Sequence, residues 1–277
     1  MSVPLPESLS IRYGTHAPNL QAPDAALPVL EQILNHRSVR HFLPDALPEG
    51  TLEMLVAAAQ SAATSSNLQA WSVVAVEAPE RRAQLAELVG QQKHVRQAPL
   101  FLAWLADVSR IERLAQYQQQ RAEGVQYLDT TLLAVIDAAL AAQNAVLAAE
   151  ALGLGTVYIG GLRNQPEAVA ELLGTPAGVF PIFGLVVGRP DPVARPAAIK
   201  PRLAQNAVLH RERYQVAQNL EDEIGDFDQR LGAFQAEQGM PASAWSQQVV
   251  TRLRDAAALH GRDQLSQSLQ RAGLSLR

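Results

Sequence analysis

The stretch that most constrains this chain is Thr130 to Leu152, an unbroken helical pattern dominated by alanine. It is apolar nearly all round, so it is expected to be a central buried helix. Small side chains let neighbouring elements approach closely, and the length also suits a helix-rich interface. A membrane span is not expected, because the apolar run Leu132 to Leu154 carries Asp137, Gln143, Asn144 and Glu150. Gly153 and Gly155 follow and read as the glycines that end the helix.

Around this helix the pattern alternates. Pro28 to Asn35, Glu49 to Ala62, Glu80 to Val89 and Pro166 to Leu173 have helical spacing. Trp71 to Glu77, Pro99 to Asp107, Thr156 to Ile159 and Phe180 to Gly188 read as strands. Residues 109 to 127 read as a polar helix or a mobile flap. Residues 1 to 25, rich in proline, read as an N-terminal arm or an unordered leader. From Glu212 onward the chain reads as helical, with an acidic cluster of Glu221, Asp222, Glu223, Asp226 and Asp228, and Trp245 to Leu269 reads as a final helical region. Helices alternating with strands predict an α/β or α+β class.

Several chemistries are excluded. The chain has no cysteine, which removes disulfides, thiolate nucleophiles and cysteine-ligated metals. The six histidines show no metal-ligand spacing, so no metal is expected. A Walker loop, a dinucleotide-binding glycine fingerprint after a strand and a serine nucleophile elbow are all missing. The net charge of −4 argues against a general nucleic-acid partner. With no apolar signal core in residues 1 to 19, the protein is expected in the cytoplasm, away from membranes.

What remains is a set of groups suited to holding a flat, phosphorylated cofactor. Ile33 to Phe42 contains His36, Arg37, Ser38, Arg40 and His41 with no acidic residue between Asn35 and Phe42. Guanidiniums grip phosphate in two-pronged fashion. This stretch is either a phosphate and polyol site or a solvated loop whose arginines pair with distant carboxylates. Thr64 to Gln69 offers hydroxyls and amides in turn geometry. Gly160-Gly161 permits close backbone approach to a ligand. Lys200 and Arg202 are able to add to the basic set, or to lie in a solvated linker.

Taken together, these segments resemble the nitroreductase family of flavoproteins. The resemblance is carried by Ile33–Phe42, by Ala58 to Ala62 with Thr64 to Gln69, and by Gly90 to Val95. Further along, Ala142 to Ala145, Tyr158 to Asn164, Lys200 to Leu203, Trp245-Ser246 and Ala272 to Leu274 occur in the family's order. The similarity is greatest to the oxygen-insensitive NADPH nitroreductase and NADPH–flavin oxidoreductase subgroup. It implies an α+β fold, a mostly antiparallel central sheet flanked by helices, and a domain-exchanged homodimer. It also implies an FMN-binding domain over 26–277, including a C-terminal helical region, behind an extension over 1–25.

The resemblance implies bound FMN, with NADPH or NADH as electron donor. Hydride would pass through flavin N5 in ping-pong fashion to small acceptors: nitroaromatics, quinones or free flavin. No side chain need be catalytic, because the cofactor carries the chemistry. His36, Arg37, Ser38 and Arg40 would hold phosphate and ribityl groups, and Lys200 and Arg202 would complete the phosphate site. Ser65, Ser66, Asn67, Gln69 and Gln92 would line the flavin, some from the partner subunit. Tyr158, Ile159, Gly160 and Gly161 would present backbone N–H groups to the ring. Ser66, Asn67 and Arg262 would face the substrate. Alternatives are a non-catalytic FMN-binding or regulatory protein, with the acidic cluster as its partner surface, and a flavin-fragmenting or dehalogenating relative.

Two departures stand out. Asn67 occupies a place where a relative carries an aromatic residue, which should change the acceptors that stack there. Gln235 to Ala244 contains no arginine, where relatives that prefer NADPH carry arginines for the 2′-phosphate. Weakened discrimination between NADPH and NADH is therefore expected, unless Arg211, Arg213, Arg252 or Arg254 substitutes.

Overall fold

The alanine-rich stretch forms a 24-residue helix, Leu128–Ala151, in a computed structural model that describes residues 3–20, 22–194, 196–216, 219–274 and 277. Ala134, Ala138, Ala141, Ala142, Ala145 and Ala149 on one face have no exposed surface. With alanine dominating that face, the helix lies close against the sheet. Among the described residues this helix alone is long and apolar enough to cross a membrane, yet it packs in the core and buries Asp137. Gly153 ends it at φ 73, a left-handed conformation that costs other residues strain. Gly155 does not cap it. It opens the next strand, where a Cβ would lie 2.7 Å from Val39 Cγ2.

The helices are α1 (Leu5–Tyr13), α2 (Leu27–Leu34), α3 (Thr51–Gln60), α4 (Pro79–Leu88), α5 (Lys93–Gln97), α6 (Ser109–Tyr117), α7 (Leu128–Ala151), α8 (Pro166–Leu173), α9 (Leu220–Glu237), α10 (Trp245–Arg252) and α11 (Leu265–Arg271). The strands are β1 (Trp71–Val76), β2 (Leu100–Asp107), β3 (Gly155–Ile159) and β4 (Val179–Gly188). The chain divides into two units, residues 1–37 with 195–258 and residues 38–194 with 259–277.

The second unit holds the sheet, in the order β1-β2-β4-β3, with every neighbouring pair antiparallel. β2 is buried at every position and β4 at all but Phe183, as the continuous apolar runs of central strands require. One core cluster joins Leu55 and Ala59 of α3, Ala141, Ala142, Ala145 and Ala149 of α7, and Leu100, Leu102, Trp104, Leu185 and Val187 of the central strands. A second joins Ala134, Ala106, Phe180, Ile182 and Leu274. Burying a side chain such as Leu55 contributes about 1.5–3 kcal/mol. Residues 109–117, expected as a polar helix or a flap, are helical.

The first unit is helical. Residues 5–13 are not an unordered leader: α1 buries Leu5, Ser8, Leu9 and Arg12, the i, i+3, i+4, i+7 face. The Arg12 guanidinium donates to the carbonyls of Leu34 (2.8 Å), His36 (3.0 Å) and Lys200 (3.5 Å). The helix expected from Glu212 begins only at Leu220, where the Asn219 side chain accepts from the Glu221 N–H. α10 packs on α9 through Phe227 and Trp245, with ring centroids 5.4 Å apart.

The final helical region is not continuous. It breaks after Arg252 into short 3-10 turns before α11, and His260 and Gly261 take φ 55 and 86.

Candidate functional site

In the second unit, the hydroxyl-rich stretch after α3 folds as a tight turn. Ser66, Asn67 and Gln69 adopt φ 48, 56 and 51, the left-handed region that short polar residues tolerate best. The side chains of Ser65, Ser66, Asn67 and Gln69 are exposed on the turn. From beneath, Asp137 of α7 accepts from the Thr64 hydroxyl (2.5 Å), the Ser65 N–H (3.1 Å) and the Ala70 N–H (3.2 Å). Arg110 donates to the Gln69 carbonyl at 2.8 Å and lies 3.8 Å from Asp107. Burial alone would raise the Asp107 carboxyl. The Ser109 and Ser72 hydroxyls and Arg110 outweigh burial and hold it below the usual carboxylate range.

A second group gathers where β3 ends. Ile159 is buried and Tyr158 is partly exposed, its ring edge-on to Phe183 at 5.4 Å and its hydroxyl 3.4 Å from Gln143. Burial pushes the Tyr158 hydroxyl far above its usual range, so it stays protonated. Gly161 is required sterically, since a Cβ there would lie 2.5 Å from the Val89 carbonyl oxygen. That same carbonyl accepts from Gln92 Nε2 at 2.9 Å, which brings Gln92 to the glycine pair. A Cβ on Gly160 would sit 3.6 Å from the Arg163 guanidinium and 3.8 Å from that of Arg262. Arg262 also donates to Asn164 Oδ1 at 2.9 Å. The polar turn and the glycine pair are thus anchored by different elements, the first by α7 and Arg110, the second by the segment after α4.

Ser38 forms a parallel bridge with Thr156 of β3, and the Val39 N–H donates to the Thr156 carbonyl at 2.9 Å. Arg40 is exposed. Burial, with the positive charges of Arg40 and His41, lowers the His94 pKa and favours neutral imidazole.

In the first unit, Arg37 is half-buried and donates to the Asn35 carbonyl at 3.2 Å. Arg202 donates to the carbonyls of Lys200 (3.3 Å) and Pro201 (3.1 Å), and Lys200 Nζ stands 6.0 Å from the Phe234 ring centre. Lys200 and Arg202 help line a pocket of about 600 Å³ whose walls include Phe227, Phe234, Met240 and Trp245. Buried Gln235 fixes the arginine-free loop by donating to the Ser243 carbonyl (3.0 Å) and accepting from the Ser243 N–H (2.9 Å).

Two members of the acidic cluster, Asp226 and Asp228, are engaged inside this unit. Asp226 pairs with Arg230 at 2.7 Å, and Asp228 accepts from the Ser246 N–H at 3.1 Å and from its hydroxyl. The side chains of Asp222 and Glu223 lie outside the described residues. Among the described residues no group of three or more potential metal ligands occurs.

Sequence reasoning missed Asp137, Arg12 and Gln235. Each is a buried polar residue in a stretch read for other reasons.

The chain matches the Nitroreductase family over residues 33–189 and the Nitroreductase family C-terminal domain over residues 200–277. It is 38% identical over 229 residues to an FMN reductase (NADPH) of Bacillus subtilis, covering 81% of this chain and 91% of that protein. It is 38% identical over 212 residues to an oxygen-insensitive NADPH nitroreductase of Salmonella typhimurium, covering 76% and 84%. The NADPH:FMN oxidoreductase of Vibrio harveyi, solved in complex with NAD+, superposes with a TM-score of 0.79 at 35% identity over 90% of this chain and 99% of that one. With most of its length matched in sequence and in fold, the chain belongs to the nitroreductase family.

Proposed function

We propose that the chain is an FMN-dependent NAD(P)H oxidoreductase that reduces small flat acceptors such as nitroaromatics, quinones or free flavin. The observation that carries this reading is the near full-length similarity to relatives named for reducing flavin and nitro compounds with NADPH. The residues present fit the cofactor. An exposed turn of hydroxyl and amide side chains suits a polar ring edge, and two guanidiniums beside Gly160 suit a ring that gains negative charge when it is reduced. When bound, FMN accepts a hydride from the nicotinamide donor and passes two electrons to the acceptor.

For the second unit we assign Ser65, Ser66, Asn67, Gln69 and Gln92 to the flavin edge. Tyr158, Ile159, Gly160 and Gly161 are assigned to backbone contact with the ring, Ser38 and Arg40 to phosphate and ribityl contact, and Arg262 to the substrate side together with Ser66 and Asn67. For the first unit we assign His36, Arg37, Lys200 and Arg202 to phosphate. Cationic groups near the ring favour the anionic reduced flavin, and neutral Tyr158 adds no opposing charge.

We further infer a homodimer. Leu128, Leu132, Ile136 and Leu140 recur every four residues on α7 and are 43%, 51%, 57% and 44% exposed, an apolar stripe that suits a second copy. The cytoplasm is the compartment we assign, in keeping with a small soluble donor such as NADPH.

The test is the visible absorption of the purified protein before and after NADPH under nitrogen. Flavin bands that bleach on addition support the reading. A colourless protein that takes up no added FMN overturns it.

A further inference from the structure

Asp137 is the most deeply buried carboxylate described in the second unit, 2% exposed. Its compensation comes from the 64–70 turn: the Thr64 hydroxyl, the Ser65 N–H and the Ala70 N–H fill both oxygens. Thr64 Oγ1 in turn accepts from the Gln69 N–H at 2.9 Å, so one carboxylate organises both ends of the turn. Between those ends lie three non-glycine residues in left-handed conformation, Ser66, Asn67 and Gln69. Such conformations persist where surrounding contacts over-determine them. Burying a carboxyl group carries a desolvation cost, which the hydroxyl and the two amides offset here.

We propose that Asp137 is a positioning residue for electron transfer. Acting through Thr64, it fixes the Ser65–Gln69 turn in the one conformation that presents its polar side chains to the flavin edge and the acceptor. This rests on the flavin reading above. Asparagine at 137 supplies one acceptor oxygen and turns an NH2 group toward donors, so the turn loses its left-handed order while α7 keeps its packing. Valine at 64 removes the hydroxyl relay and leaves the carboxylate in place.

The experiment uses the full chain with Asp137→Asn, Thr64→Val, Thr64→Ser and, as a packing control on the same helix, Val146→Ala. FMN affinity, the visible flavin band in protein saturated with FMN, and steady-state kinetics with NADPH and a quinone are measured together. Asp137→Asn and Thr64→Val should weaken FMN by at least about tenfold and shift the flavin band. They should also raise the KM for the quinone. Thr64→Ser restores all three readouts, because it keeps the hydroxyl. Val146→Ala lowers the melting temperature but leaves FMN affinity within about twofold. If Asp137→Asn does not fold, the two Thr64 variants decide. Wild-type protein that binds FMN while these variants match it overturns the positioning role alone. Wild-type protein that takes up no FMN overturns the flavin reading, and the positioning role with it.

Discussion

The Nη2 of Arg12 donates to the carbonyl oxygen of His36 at 3.0 Å, tying the N-terminal helix to the basic stretch that follows α2. The same guanidinium, on a residue 5% exposed, reaches the carbonyls of Leu34 and Lys200. Arg12→Ala strands these acceptors and should cost about 2–4 kcal/mol in urea unfolding. Arg12→Lys should recover only part, because an ammonium lacks the planar fork. A midpoint unchanged by Arg12→Ala would refute this anchoring.

His94 sets a pH dependence. Its folded pKa lies below the ordinary histidine value through burial and the charges of Arg40 and His41. The unfolded chain therefore binds more protons there, and stability rises with pH across that window. Acidification through about pH 6.5 should destabilise the protein progressively until the folded pKa is passed. His94→Gln should flatten this part of the profile in thermal melts between pH 5 and 8, windows set by ordinary histidine titration.

Gly161→Ala introduces a Cβ 2.5 Å from the Val89 carbonyl, a backbone atom that has no rotamer by which to withdraw. The end of β3 must shift, so the variant should purify with most of its flavin absorbance lost. Gly90→Ala meets no atom within 4 Å and is strained only by its φ of 93. It should retain flavin with a stability loss of about 1 kcal/mol. Equal flavin content in the two would argue against a ring seated at Gly161.

Donor discrimination should be weak. The loop Gln235 to Ala244 has no arginine and is fixed by the Gln235–Ser243 pair. Of the four arginines that could substitute, Arg252 is engaged with the Ala258 carbonyl and Arg254 with Asp255, while Arg211 and Arg213 are exposed. The ratio of kcat/KM for NADPH over NADH is expected below about a hundredfold, nearly 3 kcal/mol. A larger ratio would require another 2′-phosphate contact.

The α7 stripe gives a prediction of assembly. Ile136→Arg places a charge in the middle of the exposed apolar row and should convert a dimer to monomers in light scattering after gel filtration. A wild-type protein that is monomeric at micromolar concentration would remove the basis for this interface.

Much of the fold was legible because it rests on local periodicity. α8 and β4 follow the sequence pattern closely, and the alanine run told of a core helix, although only its alanine face is buried and Leu128, Leu132, Ile136 and Leu140 stay exposed. α1 was not legible for a physical reason: its buried face is Leu5, Ser8, Leu9 and Arg12, half polar, and the acceptors that make Arg12 tolerable lie remote in sequence. The break at Gly261 interrupts a pattern that composition alone carries across. The exposed polar turn of Ser65, Ser66 and Asn67 was legible from its hydroxyl and amide chemistry. Asp137 registered only as a polar load on an apolar helix, because its meaning comes from a turn that folding brings to it.

The sheet order carries a kinetic consequence. β2 and β4 form its centre, pairing Leu100 with Val187 and Asp107 with Val179, and α7 and β3 lie between them in the chain. The ladder at the heart of the second unit therefore closes a long loop, whose entropy must be lost before its hydrogen bonds are gained. Refolding should wait on that closure, with α7 helical early and the shorter-range β1–β2 and β3–β4 pairs formed before the centre joins them.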